Sequence, residues 1–155
     1  MDELVVKDLI DRLIDLSFAE DIGDGDHTTL SCIPADGMGK SKLLIKEEGI
    51  LAGIEVAKEV FRRFDPTMKV EVFIQDGTHV KPGDVAMVVE GKVQSLLQTE
   101  RLMLNIMQRM SGIATMTNKY VKKLEGTKTR VLDTRKTTPG MRIMEKMAVK
   151  IGGRS

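Results

Sequence analysis

Hydrophobic and polar positions change period several times along the chain. Leu4, Leu9, Leu13, Ile14 and Leu16 recur at helical spacing, with Asp8, Asp11, Arg12 and Asp15 largely opposite them. This predicts an amphipathic first helix ending near Phe18 and Ala19. Residues 20–29 (EDIGDGDHTT) then read as a loop of glycines, carboxylates and hydroxyls. Residues 41–46 (SKLLIK) predict a short strand, and Glu47, Glu48 and Gly49 a turn. Residues 50–64 are helical in their later part, with Ile54, Ala57, Val60, Phe61 and Phe64 on one side and Asp65-Pro66 as the stop. In residues 68–74 Val70, Val72 and Ile74 alternate with Lys69, Glu71 and Phe73, the period of a strand. Asp76-Gly77 and Pro82-Gly83-Asp84 punctuate two more short runs, around Val80 and across 85–89. Strands with a helix laid against them predict an α+β layer.

Residues 93–110 carry the cleanest helical pattern. Gln94, Gln98, Arg101, Asn105 and Gln108 line a polar stripe. Val93, Leu96, Leu97, Met103, Leu104, Met107 and Met110 fill the opposite side, where Glu100 also falls and is expected to pair with a cation or cap backbone. Ser111-Gly112 is read as a break. A second helix follows on the face of Ile113, Thr117, Tyr120, Val121 and Leu124, stopping at Gly126. A turn at 127–129 leads into a strand at 130–132, and the order helix, strand, turn, helix reads as the opening of a βα array.

Composition narrows the class without naming a chemistry. Hydrophobic content of 41% and charged content of 30% describe a globular protein, whose core must rest on Leu, Ile, Val and 11 Met because aromatics make up only 3%. A net charge of +1 gives no global field for nucleic acid, so any anion site must come from local cations. Cys32 is alone, which excludes an internal disulfide and fits a reducing, cytoplasmic compartment. Acids interrupt the apolar run at the N-terminus, so it does not read as a signal peptide, and no stretch approaches membrane-spanning length.

The chemistry concentrates in residues 131–153, VLDTRKTTPGMRIMEKMAVKIGG. An apolar run leads to Asp133, Thr134, Arg135 and Lys136, then Thr137, Thr138, Pro139 and Gly140 turn the chain. Met141, Met144, Met147, Ala148 and Ile151 next share one helical face. Pro139 suits a first helical position, the Thr138 hydroxyl can cap, and Gly152 is a natural stop. Two cations at a strand's carboxyl end, beside a helix start, suit an anion. A basic surface loop accounts for the spacing equally well. Arg101 has the same two readings, a solvated face or a guanidinium fork offered to a carboxylate.

The run LDTRKTTPGMR, continued by EKMAV and Gly-Gly, resembles the signature of the quinolinate phosphoribosyltransferase family. EDIGDGDHTT, AGIEVAKEVF, the DGTHVKPGD block, LLQTERLMLN and QRMSGIATMT resemble further family segments in family order. The resemblance implies an N-terminal α/β sandwich domain (residues 1–110), α+β in class, followed by the first strand–helix unit of a truncated α/β barrel (residues 111–155). It implies transfer of phosphoribose from 5-phosphoribosyl pyrophosphate to quinolinate with decarboxylation, in NAD biosynthesis. It further implies a homodimer whose subunits share each active site. Arg101 would reach a substrate carboxylate across the interface. Thr134, Arg135 and Lys136 would hold quinolinate and face the donor, Lys136 being the catalytic cation. Mg²⁺ would accompany the donor, with protein ligands expected beyond this chain, so no residue here is assigned to metal.

After Gly152-Gly153 the family continues with an Asn-His-Arg type segment, whereas here Arg154 and Ser155 follow. The expectation is therefore the N-terminal portion of a longer enzyme, inactive alone. The alternatives are a molybdenum-transport-associated paralogue of the same fold and a non-enzymatic dimerisation or binding remnant. Two local motifs have rival readings. Asp-Gly-Asp at 24–26 suggests a calcium loop but lacks EF-hand spacing. Residues 76–91 (DGTHVKPGDVAMVVEG) resemble half of a biotinyl or lipoyl carrier domain, which would need a hairpin-tip Lys, with Lys146 of Met-Glu-Lys-Met the nearest candidate.

Overall fold

In the computed structural model, residues 3–21, 36–126 and 142–153 are described. These residues form, in chain order, α1 (Glu3–Asp21), β1 (Met38–Leu44), β2 (Gly49–Ile50), α2 (Ile54–Phe64), β3 (Lys69–Val72), β4 (His79–Val80), β5 (Val85–Lys92), α3 (Val93–Lys123) and α4 (Arg142–Ile151). The class is mixed α/β with small sheets. β5 is central in an antiparallel three-stranded sheet of order β1-β5-β3, and β2 pairs antiparallel with β4.

Alternation along β5 decides which side of the sheet is covered. Met87 and Val89 are buried, while Glu90 and Lys92 face solvent. On the open face Lys40 lies opposite Glu90, and Glu90 opposite Lys69, a row of alternating sign that favours this register. On the covered face Met87, Val89, Val80 and Met68 pack with Ile54, Ala57 and Phe61 of α2 and with Met103 and Met107 of α3. A second cluster lies beyond these helices: Val56 and Val60 of α2 and Leu102, Ile106 and Met110 of α3 meet Ile14 of α1 and Met144 and Ala148 of α4. α2 and α3 therefore form a middle layer, buried on two sides.

That position corrects the reading of α3. Its buried set is wider than one stripe and includes Ser95, Thr99, Leu102, Ile106, Ala114 and Thr117, while Leu97 is exposed. Glu100 is exposed too and, among the described residues, neither pairs with a cation nor caps backbone; Thr99 takes the buried position and donates to the Ser95 carbonyl at 2.7 Å. The predicted break at Ser111-Gly112 is absent, since α3 runs unbroken for 31 residues. Ser111 is engaged instead with the chain beside it. Its Oγ accepts from Ala52 N at 2.9 Å and donates to Ala52 O at 3.0 Å, and Thr115 Oγ1, one turn on, accepts from Ile50 N at 2.9 Å. Two hydroxyls on a helix thus do for residues 50–52 what a neighbouring strand would otherwise do. Tyr120, placed on the second helix's apolar face by the pattern, is 53% exposed.

The Asp-Gly turn also has a structural use. Asp76 accepts from Ile54 N at 2.8 Å and Glu55 N at 3.4 Å, capping α2 from across the fold, because N-cap Gly53 has no side chain to do so. The carrier-domain rival fails, since Lys146 lies inside α4 and not at a hairpin tip.

Candidate functional site

Arg101 sits in the first third of α3, exposed as its stripe predicts, and among the described residues its guanidinium has no ion-pair partner. Leu97 lies one turn before it, 43% exposed, and Leu104 one turn after. From Leu104 onward this face borders a groove of about 540 Å³, walled by residues 43–51 and based on Met107, Ser111 and Thr115. Leu44, Met116 and Tyr120 lie at or beside this groove with half their surface open. A cation without a partner beside exposed apolar side chains is a surface suited to an anionic group carried by another molecule.

Thr134, Arg135 and Lys136 lie outside the described residues, as do residues 22–29 of the loop read at 20–29 and the strand and turn read at 127–140; Glu20 and Asp21 are instead the last residues of α1. The elements on either side of the cationic run are described, and they are fixed. α4 lies on α3 through buried Met144 and Ala148. Near its start, Glu145 takes a 2.9 Å contact from Arg109 of α3. At its end, Asn118 Nδ2 donates to the Gly152 carbonyl at 3.2 Å, and Gly152 abuts Ala114 and Thr117. Contacts that advance from 109 to 118 on α3 as they advance from 145 to 152 on α4 make the two helices parallel. The end of α3 and the start of α4 therefore lie at opposite ends of their contact.

Among the described residues no group of three or more His, Cys, Asp or Glu converges on a point where a metal could sit. The displaced pKa values belong to structural groups. Asp65 is held below the usual carboxylate range by the Thr67 hydroxyl, helped by Ser95, whose Oγ donates to it at 2.7 Å. Glu59 is likewise lowered by its hydrogen bond from Arg62. Sequence reasoning gave Arg109 and Glu145 no role; their 36-residue separation carries no local signal, and only the packing of α4 on α3 joins them.

Comparison with known proteins sets this geometry in a family. The model for the quinolinate phosphoribosyl transferase N-terminal domain matches residues 26–111, and that for the C-terminal domain matches residues 113–155. Over 91% of its length the chain is 44% identical to the quinolinate phosphoribosyltransferase (decarboxylating) 1b of Nicotiana tabacum. Over 91% it is 43% identical to the chloroplastic nicotinate-nucleotide pyrophosphorylase (carboxylating) of Oryza sativa subsp. japonica. The crystal structure of the nicotinate-nucleotide pyrophosphorylase from Francisella tularensis superposes on 95% of the chain with a TM-score of 0.88 at 39% identity. The chain spans 40%, 38% and 52% of these proteins respectively.

Proposed function

Because the chain belongs to the quinolinate phosphoribosyl transferase family, we propose that it forms part of an enzyme of NAD biosynthesis, in the cytoplasm. That enzyme transfers phosphoribose from 5-phosphoribosyl pyrophosphate to the ring nitrogen of quinolinate and removes a carboxylate, giving nicotinate mononucleotide, pyrophosphate and CO₂. The observation that carries this reading is the pair of family models meeting near residue 112, with the cationic run 134–136 inside the second. Their boundary also supports a division into a sandwich domain, 1–110, and the beginning of an α/β barrel, 111–155. On that reading the division falls within α3, so one continuous helix joins the two. The parallel course of α3 and α4 supports a first barrel strand between them, since a strand is what returns a chain along parallel helices in such a barrel.

Both substrates are rich in negative charge, and a chain of net charge +1 must gather cations locally to hold them. Arg135 forks a quinolinate carboxylate, with Thr134 beside it as hydrogen-bond partner. Lys136 faces the donor and stabilises the charge that develops as pyrophosphate leaves. Arg101, exposed and without an ion-pair partner among the described residues, is available to a carboxylate in the site of a second subunit. The open apolar side chains near it suit the contact that such a homodimer needs. Once the ring nitrogen is quaternised, its positive charge stabilises the carbanion left by decarboxylation. The described residues do not provide a carboxylate cluster for Mg²⁺. The metal enters this proposal with the donor's pyrophosphate, and no step is assigned to it.

Quinolinate-dependent release of pyrophosphate tests the reading, measured with the chain alone and with the rest of the barrel supplied. The completed protein is expected to turn over and the chain alone is not, since it spans only about half of its relatives. A completed protein no faster than its Lys136→Ala variant would refute the assignment.

A further inference from the structure

Glycine weakens a helix interior, because it carries the most backbone freedom into the fold and brings no side chain to pack. Several glycines here are needed because α3 lies close against them. A Cβ at Gly49 would stand 2.5 Å from Thr115 Oγ1, and one at Gly53 would stand 3.3 Å from the Met107 Cα. Gly112 differs from these. It lies inside α3 itself, is exposed, and among the described residues nothing comes within 4 Å of where its Cβ would be. Resting on the reading that Arg101 enters the site of a second subunit, we infer that Gly112 is where a second copy of the chain comes closest to α3, backbone against backbone.

The partner follows from where Gly112 sits. It comes about three turns after Arg101, about 16 Å along the axis and within about 20° around it. A subunit whose site takes Arg101 must lie on this face of the helix. Toward the N-terminus the face ends about two turns away, at Val93. Toward the C-terminus it runs on along the groove of about 540 Å³, which Gly112 helps to line and where Leu44 and Met116 stand half-exposed. From Leu104 onward the stripe holds Leu104, Asn105, Gln108, Gly112, Thr115 and Met116 and no charge, as the core of a protein interface does. The floor hydroxyls are already engaged, Ser111 with Ala52 and Thr115 with Ile50. The floor thus offers apolar surface and bare backbone, which suits the packing of another chain better than the capture of a small polar ligand. Helix contacts close to a distance set by the side chains between them, and at residue 112 there is none.

Sedimentation velocity over a dilution series of the completed protein tests this with Gly112→Gln. Glutamine is a good helix former, and its side chain has open space in the described chain, so the Tm of the chain alone should not fall. The dimer Kd of the completed protein should rise at least about tenfold. Should Gly112→Gln lower the Tm of the chain alone, Met116→Lys decides in its place, since Met116 is exposed and the same rise is expected. An unchanged dimer Kd would overturn the inference, and so would a parent that stays monomeric. A Gly112→Gln protein with its dimer intact and a Tm lowered at every concentration would put the protein's own chain over Gly112 and overturn it equally. A parent dimer that releases no pyrophosphate with quinolinate removes the proposed function, while the Kd comparison still decides the contact. A parent that turns over as a dimer which Gly112→Gln leaves intact keeps that function and removes the contact.

Discussion

Gly152 is where the packing of α4 on α3 can be tested most sharply. Its burial has nothing to do with a left-handed backbone; it follows from space. A Cβ built there would run into the Ala114 carbonyl oxygen, lie 2.8 Å from Thr117 Cβ and stand 3.0 Å from Ala114 Cα. These are backbone and branch-point atoms of a long helix and cannot swing aside as a side-chain tip would. Gly152→Ala must therefore push α4 away from α3, opening the layer that holds Met144 and Ala148 and stretching the bond from Asn118. Overpacking of this kind costs about 1–3 kcal/mol, and rigid neighbours place this case near the upper end. For a domain of this size about 3 kcal/mol corresponds to a fall in Tm of roughly 6–12 °C. Gly112→Ala is the matched control. It lies inside α3 with nothing within 4 Å of the new methyl, so it should gain about 0.5–1 kcal/mol in helix propensity. Thermal unfolding followed by circular dichroism reads both. Tm values for Gly152→Ala within a degree of the parent would refute the packing argument, and a destabilised Gly112→Ala would refute an unbroken α3.

Asp65→Asn should cost about 1–2 kcal/mol at pH 7, by weakening bonds from Thr67 and Ser95 that link the end of α2 to the start of α3. Because the folded carboxyl is held below its usual range, this stability is present above the unfolded value and lost as pH falls through the folded one. Urea titrations should accordingly show parent and variant converging in acid. Asp76→Ala should lower stability by about 1 kcal/mol and raise exchange of the Ile54 and Glu55 amides, since it uncaps α2; unchanged exchange there would count against the cap. In the completed enzyme, Arg135→Lys should mainly raise the KM for quinolinate, and Lys136→Ala should lower kcat by about two to four orders of magnitude. Arg101→Ala should weaken quinolinate binding without lowering Tm, because the side chain is exposed; a large fall in Tm would mean that Arg101 is structural.

Local periodicity was enough to find helices that carry a continuous buried face, narrow or wide, and the strands that alternate. α1, α2 and β3 lie close to where spacing put them, and Asp65 stops α2 as read. The polar stripe through Arg101 was legible for the same reason, since an exposed row recurs at the helix's own period. The family of the chain was legible because its cationic run is contiguous. Tertiary structure decided what depends on partners distant in sequence. Ser111 and Gly112 look like a break when only neighbours are counted, at a local cost of about 1 kcal/mol for the glycine. In the fold, the Ser111 hydroxyl holds residue 52, and buried Met110 and Ala114 on either side outweigh that cost. Glu100 looked internal because a single apolar stripe was assumed, whereas a helix sandwiched between a sheet and two other helices buries two adjoining stripes and turns its acid outward. The cap by Asp76, the pairing of Arg109 with Glu145 and the parallel course of α4 span 22 residues or more. At such separations no period links the partners, and the packing of the layers alone brings them together.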